Sequence, residues 1–239
     1  MRDIKTMLAG KRAVIFDMDG TLIDSIGVWN AVDVALIGEL TGRPVTENVQ
    51  AQRDSALERF RGRENPYRDY CGLLRDKYAP GMTVEAVHDR RYAIAQDFLE
   101  NAVDYKPGAD ELLRRLKKAG YILILATTTR RHSIEVYDTQ NAGIRGKGGI
   151  TPWFQWVYTS EDVEKTKPDP EVYHRIFADF GLTAEECIVF EDALVGLQAA
   201  KAAGVETVAV YDQYSDPDRE AINALADWAI RDFAELMRT

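Results

Sequence analysis

Two aspartates with one residue between them, Asp17 and Asp19, follow four apolar residues in AVIFDMDGTLIDS, residues 13–25. Like charges held that close repel, and a carboxylate at the end of a buried segment is costly without compensation. The compensation is either a turn that leaves both acids in water or a cation. An EF-hand loop does not fit, because Gly20 falls at loop position four and the alternating ligand pattern is missing. Three other stretches carry groups of complementary chemistry. Thr127, Thr128 and Thr129 are consecutive hydroxyls, EKTKPDP holds Lys165 and Lys167, and VFED ends in Glu191 and Asp192. Oxygen-only donors of this kind suit a hard cation such as Mg²⁺, which takes one or two carboxylates and fills its shell with waters and phosphate oxygens. A hydroxyl and an ammonium opposite such an ion would bind the remaining oxygens of a phosphoryl group, whose transfer mostly requires positioning and charge neutralisation. One carboxylate could then attack in line to form an aspartyl phosphate, and another could serve as acid and then base.

These groups can cooperate only if the chain brings them to one place. Each lies just after, or a short loop beyond, a short apolar run: residues 13–16, 121–126, 156–158 and 187–190, with a further run at 206–210. Short runs apolar on both faces and rich in Val and Ile read as parallel strands covered by helices. Helical patterns separate them. Ala109, Leu112, Leu113 and Leu116 recur at helical spacing, with acids Asp110 and Glu111 early, Lys117 and Lys118 late, and Gly120 placed to stop the helix. Val172, Ile176, Phe177 and Phe180 repeat the arrangement, Thr183 and Glu186 form a candidate capping box, and residues 192–204 read as an Ala-rich helix. The expected fold class is α/β, a doubly wound, Rossmann-like parallel sheet. Ligands of such sheets gather at the carboxyl ends of the strands, the place where all four stretches arrive.

Residues 27–103 differ. They contain no strand-like run, and Val28, Val32, Leu36 and Leu40, then Tyr67, Tyr70, Cys71, Leu74 and Tyr78, form helical stripes. We read an all-helical cap domain at 27–103, inserted into a core formed by 1–26 and 104–239. The arginine-rich stretch 52–68 has weak apolar periodicity.

The chain has 239 residues, 46% of them hydrophobic, enough for a real core, and a formal charge of 30 − 39 = −9. That balance, without a basic stripe, excludes nucleic acid as an expected partner. Two distant cysteines, Cys71 and Cys187, indicate free thiols in a reducing compartment. The opening MRDIKTMLAGKR lacks the apolar region of a signal peptide, and no run has the length of a membrane span, so the expected location is cytoplasmic, away from membranes. RGKGG at 145–149 matches neither nucleotide-loop spacing and reads as a surface loop, and His88, His132 and His174 form no cluster.

DMDGTLIDS, LATTT, KPDPEVY and VFEDALVGLQAAKAAG occur in the order of the four motifs of the haloacid dehalogenase superfamily of phosphatases, and the sequence resembles the branch of that family with a helical cap after the first motif. The resemblance covers residues 12–25 and 105–212. It implies that Asp17 is the nucleophile and Asp19 the general acid/base. It implies that Thr127 binds phosphoryl oxygens with the backbone amide of Thr128, and that Lys167 neutralises nucleophile and phosphate; Pro168 selects Lys167 over Lys165. It assigns Mg²⁺ to Asp17, Asp192 and the main-chain carbonyl of Asp19, with Glu191 positioning the ion or its waters. Thr127 as a plain strand residue and Asp192 as a mere helix N-cap are the competing readings.

The expected function is hydrolysis of a small phosphorylated metabolite, of sugar phosphate or phosphoglycolate type, with the cap closing over the site, excluding water and choosing the substrate. A phosphoglucomutase of the same family is the rival, but those mutases carry a histidine where this chain has Trp29. Dehalogenation has no use for Asp19 and a full metal site. Phosphonate cleavage needs a cap lysine, and Lys77 is the only lysine in 27–103. A non-catalytic binding protein on the same fold would be free to lose one of Asp17, Asp19, Lys167 or Asp192, and all are present. Trp29, at the entry to the cap, and Arg130, after the second motif, are the candidate substrate contacts. Arg53, Arg59, Arg61 and Arg63 could meet an anionic substrate, but a solvated face is the simpler reading.

Overall fold

The computed structural model describes residues 4–60, 63 and 65–237. Its contacts divide the chain into two compact units, residues 26–102 and residues 1–25 with 103–239.

The second of these is built on a six-stranded parallel sheet: β1 (Ala13–Phe16), β2 (Ile122–Ala126), β3 (Trp156–Tyr158), β4 (Cys187–Glu191), β5 (Glu206–Val210) and β6 (Trp228–Ile230), in the spatial order β3-β2-β1-β4-β5-β6. β1 is central, and its last residue, Phe16, stands in register with Leu125 of β2 and Phe190 of β4. The strands are apolar throughout because both faces are covered. Ala13 and Ile15 face one side with Cys187, Val189, Val172, Ile176 and Ala199. Phe16 faces the other, stacked on Phe190 at a centroid distance of 4.9 Å, with Phe233 5.6 Å from Phe190. This alternation is the two-residue period of a strand.

The expected helices form close to their predicted bounds. Ala109–Lys118 buries Ala109, Leu112, Leu113 and Leu116, and Gly120 behind it adopts φ 87°. The Thr183/Glu186 capping box is present in both directions, just before β4. β6 was not expected from the sequence. It spans the three residues Trp228–Ile230 at the edge of the sheet beside β5.

The other unit contains the helices Val28–Thr41, Val49–Arg59, Pro66–Tyr78 and Val84–Asn101, the last two capped by the side chains of Asn65 and Thr83. Val32, Leu36, Tyr70, Cys71, Leu74 and Val87 make its core. Tyr67, expected on the buried stripe, is 55% exposed; it lies in the first turn of the Pro66–Tyr78 helix, ahead of the packed Tyr70, Cys71 and Leu74. No helix among the described residues is long and apolar enough to cross a membrane.

Candidate active site

Because β1, β2 and β4 run in register, the residues after them meet at one edge of the sheet. Asp17 extends the ladder, its N–H donating to Phe190 O at 3.0 Å, and Thr127 does the same to Tyr158 O. The chain then turns at Gly20, whose φ of 79° favours glycine, and its N–H closes the loop onto Ile23 O.

Lys167 is the hub. Its Nζ lies 2.8 Å from Asp17 Oδ1 and 2.8 Å from Glu191 Oε2, all three side chains being buried. Burial works to strip the ammonium of its proton, but the charges of Asp17 and Glu191 outweigh it and hold the pKa well above the usual lysine value. Lys165, the positional competitor, is exposed and only 3.9 Å from Asp169. Carboxylate oxygens of Asp17, Glu191 and Asp192 all fall within 4.8 Å of one another. Burial first, and the Asp17 charge second, push Glu191 up to about 8 and Asp192 up to about 7. Ionised together, three buried carboxylates would exceed the one ammonium among them, and their raised pKa values reflect that cost. A divalent cation on oxygen donors is the compensation this geometry fits.

Asp192 is not a helix N-cap. The following helix, Leu194–Ala202, is preceded by Ala193 and has no side-chain cap. Instead Asp192 Oδ1 accepts from Thr21 Oγ1 at 2.7 Å and Oδ2 from Ser215 Oγ at 3.3 Å. The Asp19 carboxyl is held apart from the cluster, accepting from Ser25 Oγ and Thr129 Oγ1, each at 2.5 Å. Burial raises its pKa against the lowering effect of those two hydroxyls. Thr127 is buried with its Oγ1 accepting the Thr129 N–H at 3.1 Å, whereas Thr128 and Arg130 are exposed.

Thr21, Ser25, Thr129, Ser215 and Gly196 went unassigned in the sequence. The first three sit inside recognised motifs, so a signal existed. Gly196 also lies inside the fourth motif, VFEDALVGLQAAKAAG, whereas Ser215 had no signal. Gly196 lies against the Glu191 carboxyl, and a Cβ there would fall inside 3.0 Å of all three carboxyl atoms.

Within the 26–102 unit, Arg53 is neither solvated nor open to an anion. It is buried, with Nη1 on Asp33 Oδ2 at 3.0 Å and Nη2 on Asn30 Oδ1 at 2.8 Å. Asp33, fully buried, also accepts from Arg91 Nε at 2.7 Å and from Tyr70 Oη at 3.2 Å. Trp29 is half-buried with the Arg91 guanidinium 4.8 Å from its ring centroid. Arg59 and Arg63 are exposed and flank the Phe60 ring, and Arg61 lies outside the described residues. The RGKGG segment, expected as a surface loop, begins as the end of the Ala142–Gly146 helix and then turns inward, with the buried Gly149 carbonyl accepting from Tyr105 Oη.

The sequence model of the haloacid dehalogenase-like hydrolases matches residues 11–204. The chain belongs to this family. Among its relatives, the phosphorylated carbohydrates phosphatase of Thermotoga maritima is 28% identical, over 82% of this chain and 83% of that one. A crystal structure from the same organism, assigned provisionally as a beta-phosphoglucomutase, is 25% identical with a TM-score of 0.75, covering 95% of this chain and 97% of that one. A haloacid dehalogenase family hydrolase from Deinococcus radiodurans R1, crystallised with bound phosphate and sodium, is 26% identical with a TM-score of 0.70, over 95% and 94%. In this hydrolase the polar residues of the four motifs gather beyond the carboxyl ends of β1, β2 and β4.

Proposed function

We propose that this hydrolase is a Mg²⁺-dependent phosphatase of small phosphorylated metabolites that works through an aspartyl phosphate. The observation that carries the reading is Lys167 bridging Asp17 and Glu191 inside a buried carboxylate cluster, with Asp19 held separately by two hydroxyls. Asp17, Asp192 and the main-chain carbonyl of Asp19 would hold the ion, with Glu191 positioning it. When bound, Mg²⁺ supplies the charge neutralisation that an anionic phosphoryl group needs near carboxylates.

Lys167 donates to Oδ1 of Asp17 and fixes it, which aims the carboxylate as a nucleophile. The Thr127 hydroxyl and the Thr128 amide would orient the phosphoryl oxygens. In the first step an Asp17 O–P bond forms as the ester P–O bond breaks, and Asp19 gives its proton to the leaving oxygen. Its raised pKa suits that acid role. In the second step Asp19 takes a proton from water, whose oxygen attacks phosphorus and releases Asp17 and phosphate. Lys167 offsets negative charge in both steps.

The phosphoglucomutase reading has the likeness to the Thermotoga maritima structure in its favour and Trp29 against it. One experiment covers both. Phosphate release is measured from sugar phosphates, phosphoglycolate and nucleotides, with Mg²⁺ and with chelator, beside Asp17→Asn. Mg²⁺-dependent release that the variant abolishes supports the phosphatase. Absence of release on every substrate overturns it, and conversion of β-glucose 1-phosphate primed with a bisphosphate would then establish the mutase.

A further inference from the structure

Tyr173 closes the third motif, KPDPEVY, six positions after Lys167 and in the first turn of the Glu171–Phe180 helix. It is fully buried, and its ring packs in one core cluster with Ala13, Ile15, Ala126 and Val189. The ring sits there as any apolar side chain would. The oxygen does not, because Tyr173 Oη makes no hydrogen bond among the described residues. A buried hydroxyl without a partner is costly, and a phenylalanine would fill the same space without that cost. The oxygen is nevertheless close to the site. Of the charges that act on it the Lys167 ammonium is the strongest, ahead of Glu191 and Asp17, and the phenol acts on Lys167 in turn. Burial raises the pKa of the phenol and keeps it neutral.

An ammonium has three N–H donors. Lys167 spends two of them, on Asp17 Oδ1 and on Glu191 Oε2, each at 2.8 Å. These two acceptors do not stay matched during the reaction proposed above. When one Asp17 oxygen bonds to phosphorus, the aspartate ceases to be a carboxylate and its other oxygen becomes a weaker acceptor. Glu191 is not altered by that step, so an ammonium with only these two anchors would be drawn toward Glu191 and away from the reacting oxygens. A neutral acceptor keeps its strength throughout. We propose that Tyr173 is a positioning residue, whose Oη takes the third N–H of Lys167 and holds the ammonium beside Asp17 while that aspartate carries the phosphoryl group. The inference rests on the aspartyl phosphate reading.

Tyr173→Phe removes the oxygen alone. In urea unfolding the variant should be at least as stable as the wild type, since the oxygen has no partner in the resting protein. Mg²⁺-dependent phosphate release should lose about tenfold or more in kcat, with KM held within about twofold. A readout without turnover uses Mg²⁺ and beryllium fluoride, which mimics an aspartyl phosphate. By ¹⁵N relaxation the Lys167 ammonium should be rigid in the wild type and mobile in Tyr173→Phe, while Lys106, paired with Asp212 at 2.8 Å, should be the same in both. A fluorinated tyrosine at position 173 keeps the ring and weakens the oxygen as an acceptor. It should give smaller losses in the same direction, which keeps the test valid if the phenylalanine variant misfolds. Wild-type kcat in both variants, or a loss carried by KM, overturns the proposal and leaves the phosphatase reading standing. A wild type that neither releases phosphate nor binds beryllium fluoride overturns that reading, and this inference with it.

Discussion

Gly196 offers the sharpest test of how the carboxylate cluster is assembled. It is buried inside the Leu194–Ala202 helix, where Gly→Ala alone would stabilise by about 0.5–1 kcal/mol. Here the new Cβ would overlap the whole Glu191 carboxyl group. That carboxyl is also tied to Lys167 at 2.8 Å and accepts the Ala193 N–H at 3.3 Å. Overpacking of this kind costs about 1–3 kcal/mol. Breaking a buried ion pair by losing one partner costs about 3–5 kcal/mol, and a displaced partner costs part of that. The net expectation for Gly196→Ala is destabilisation by about 2–5 kcal/mol, or roughly 4–20 °C at about 2–4 °C per kcal/mol for a chain of this size. Mg²⁺ affinity should fall with it. Gly38→Ala is the control. Gly38 is also helical, but its Cβ would meet only the Arg43 carbonyl at an ordinary 3.8 Å. It should gain about 0.5–1 kcal/mol. Thermal and urea unfolding, with calorimetric Mg²⁺ titration, read all of this. A Gly196→Ala protein as stable as the wild type, with unaltered Mg²⁺ affinity, would refute the reasoning.

Four further outcomes are expected. Asp33→Ala strands Arg53 and Arg91 in the interior of the helical unit and should cost about 3–5 kcal/mol in urea unfolding. Burial pushes the thiols of Cys71 and Cys187 from 9.0 up to about 11, so at pH 8 a thiol reagent should label the unfolded chain and leave the native one nearly untouched. The same shift makes stability fall as pH rises above about 9, because the unfolded thiols ionise while the folded ones keep their protons. Mg²⁺ at about a hundredfold over its dissociation constant should add about 2.7 kcal/mol to stability, and chelator should remove it, as followed by melting temperature.

Reading the sequence was most successful where the physics is local. β1 and β4 were legible because a strand buried on both faces must be apolar at nearly every position. The Ala109–Lys118 helix was legible because its buried stripe has the helical period and its charges follow the helix dipole. The Asp17/Asp19 pair announced a cation or a turn, because close like charges need compensation. Among the arginines read as solvated, Arg53 misled, since a polar stretch looks solvated whether or not a buried acid such as Asp33 waits in another helix, while Arg59 and Arg63 are exposed as expected.

What the sequence by itself determined, then, is the strand exits and the reactive groups they carry, since alternation, capping and charge repulsion act within a few residues. Which of those groups touch was decided only by the tertiary structure. Thr21 meets Asp192 across 171 positions and Lys167 meets Asp17 across 150, through the β1–β4 register and the loop beyond β3. The same holds for Gly196, whose missing side chain makes room for Glu191. Such pairings depend on how elements stack, and a linear pattern does not encode the distance between two strand ends.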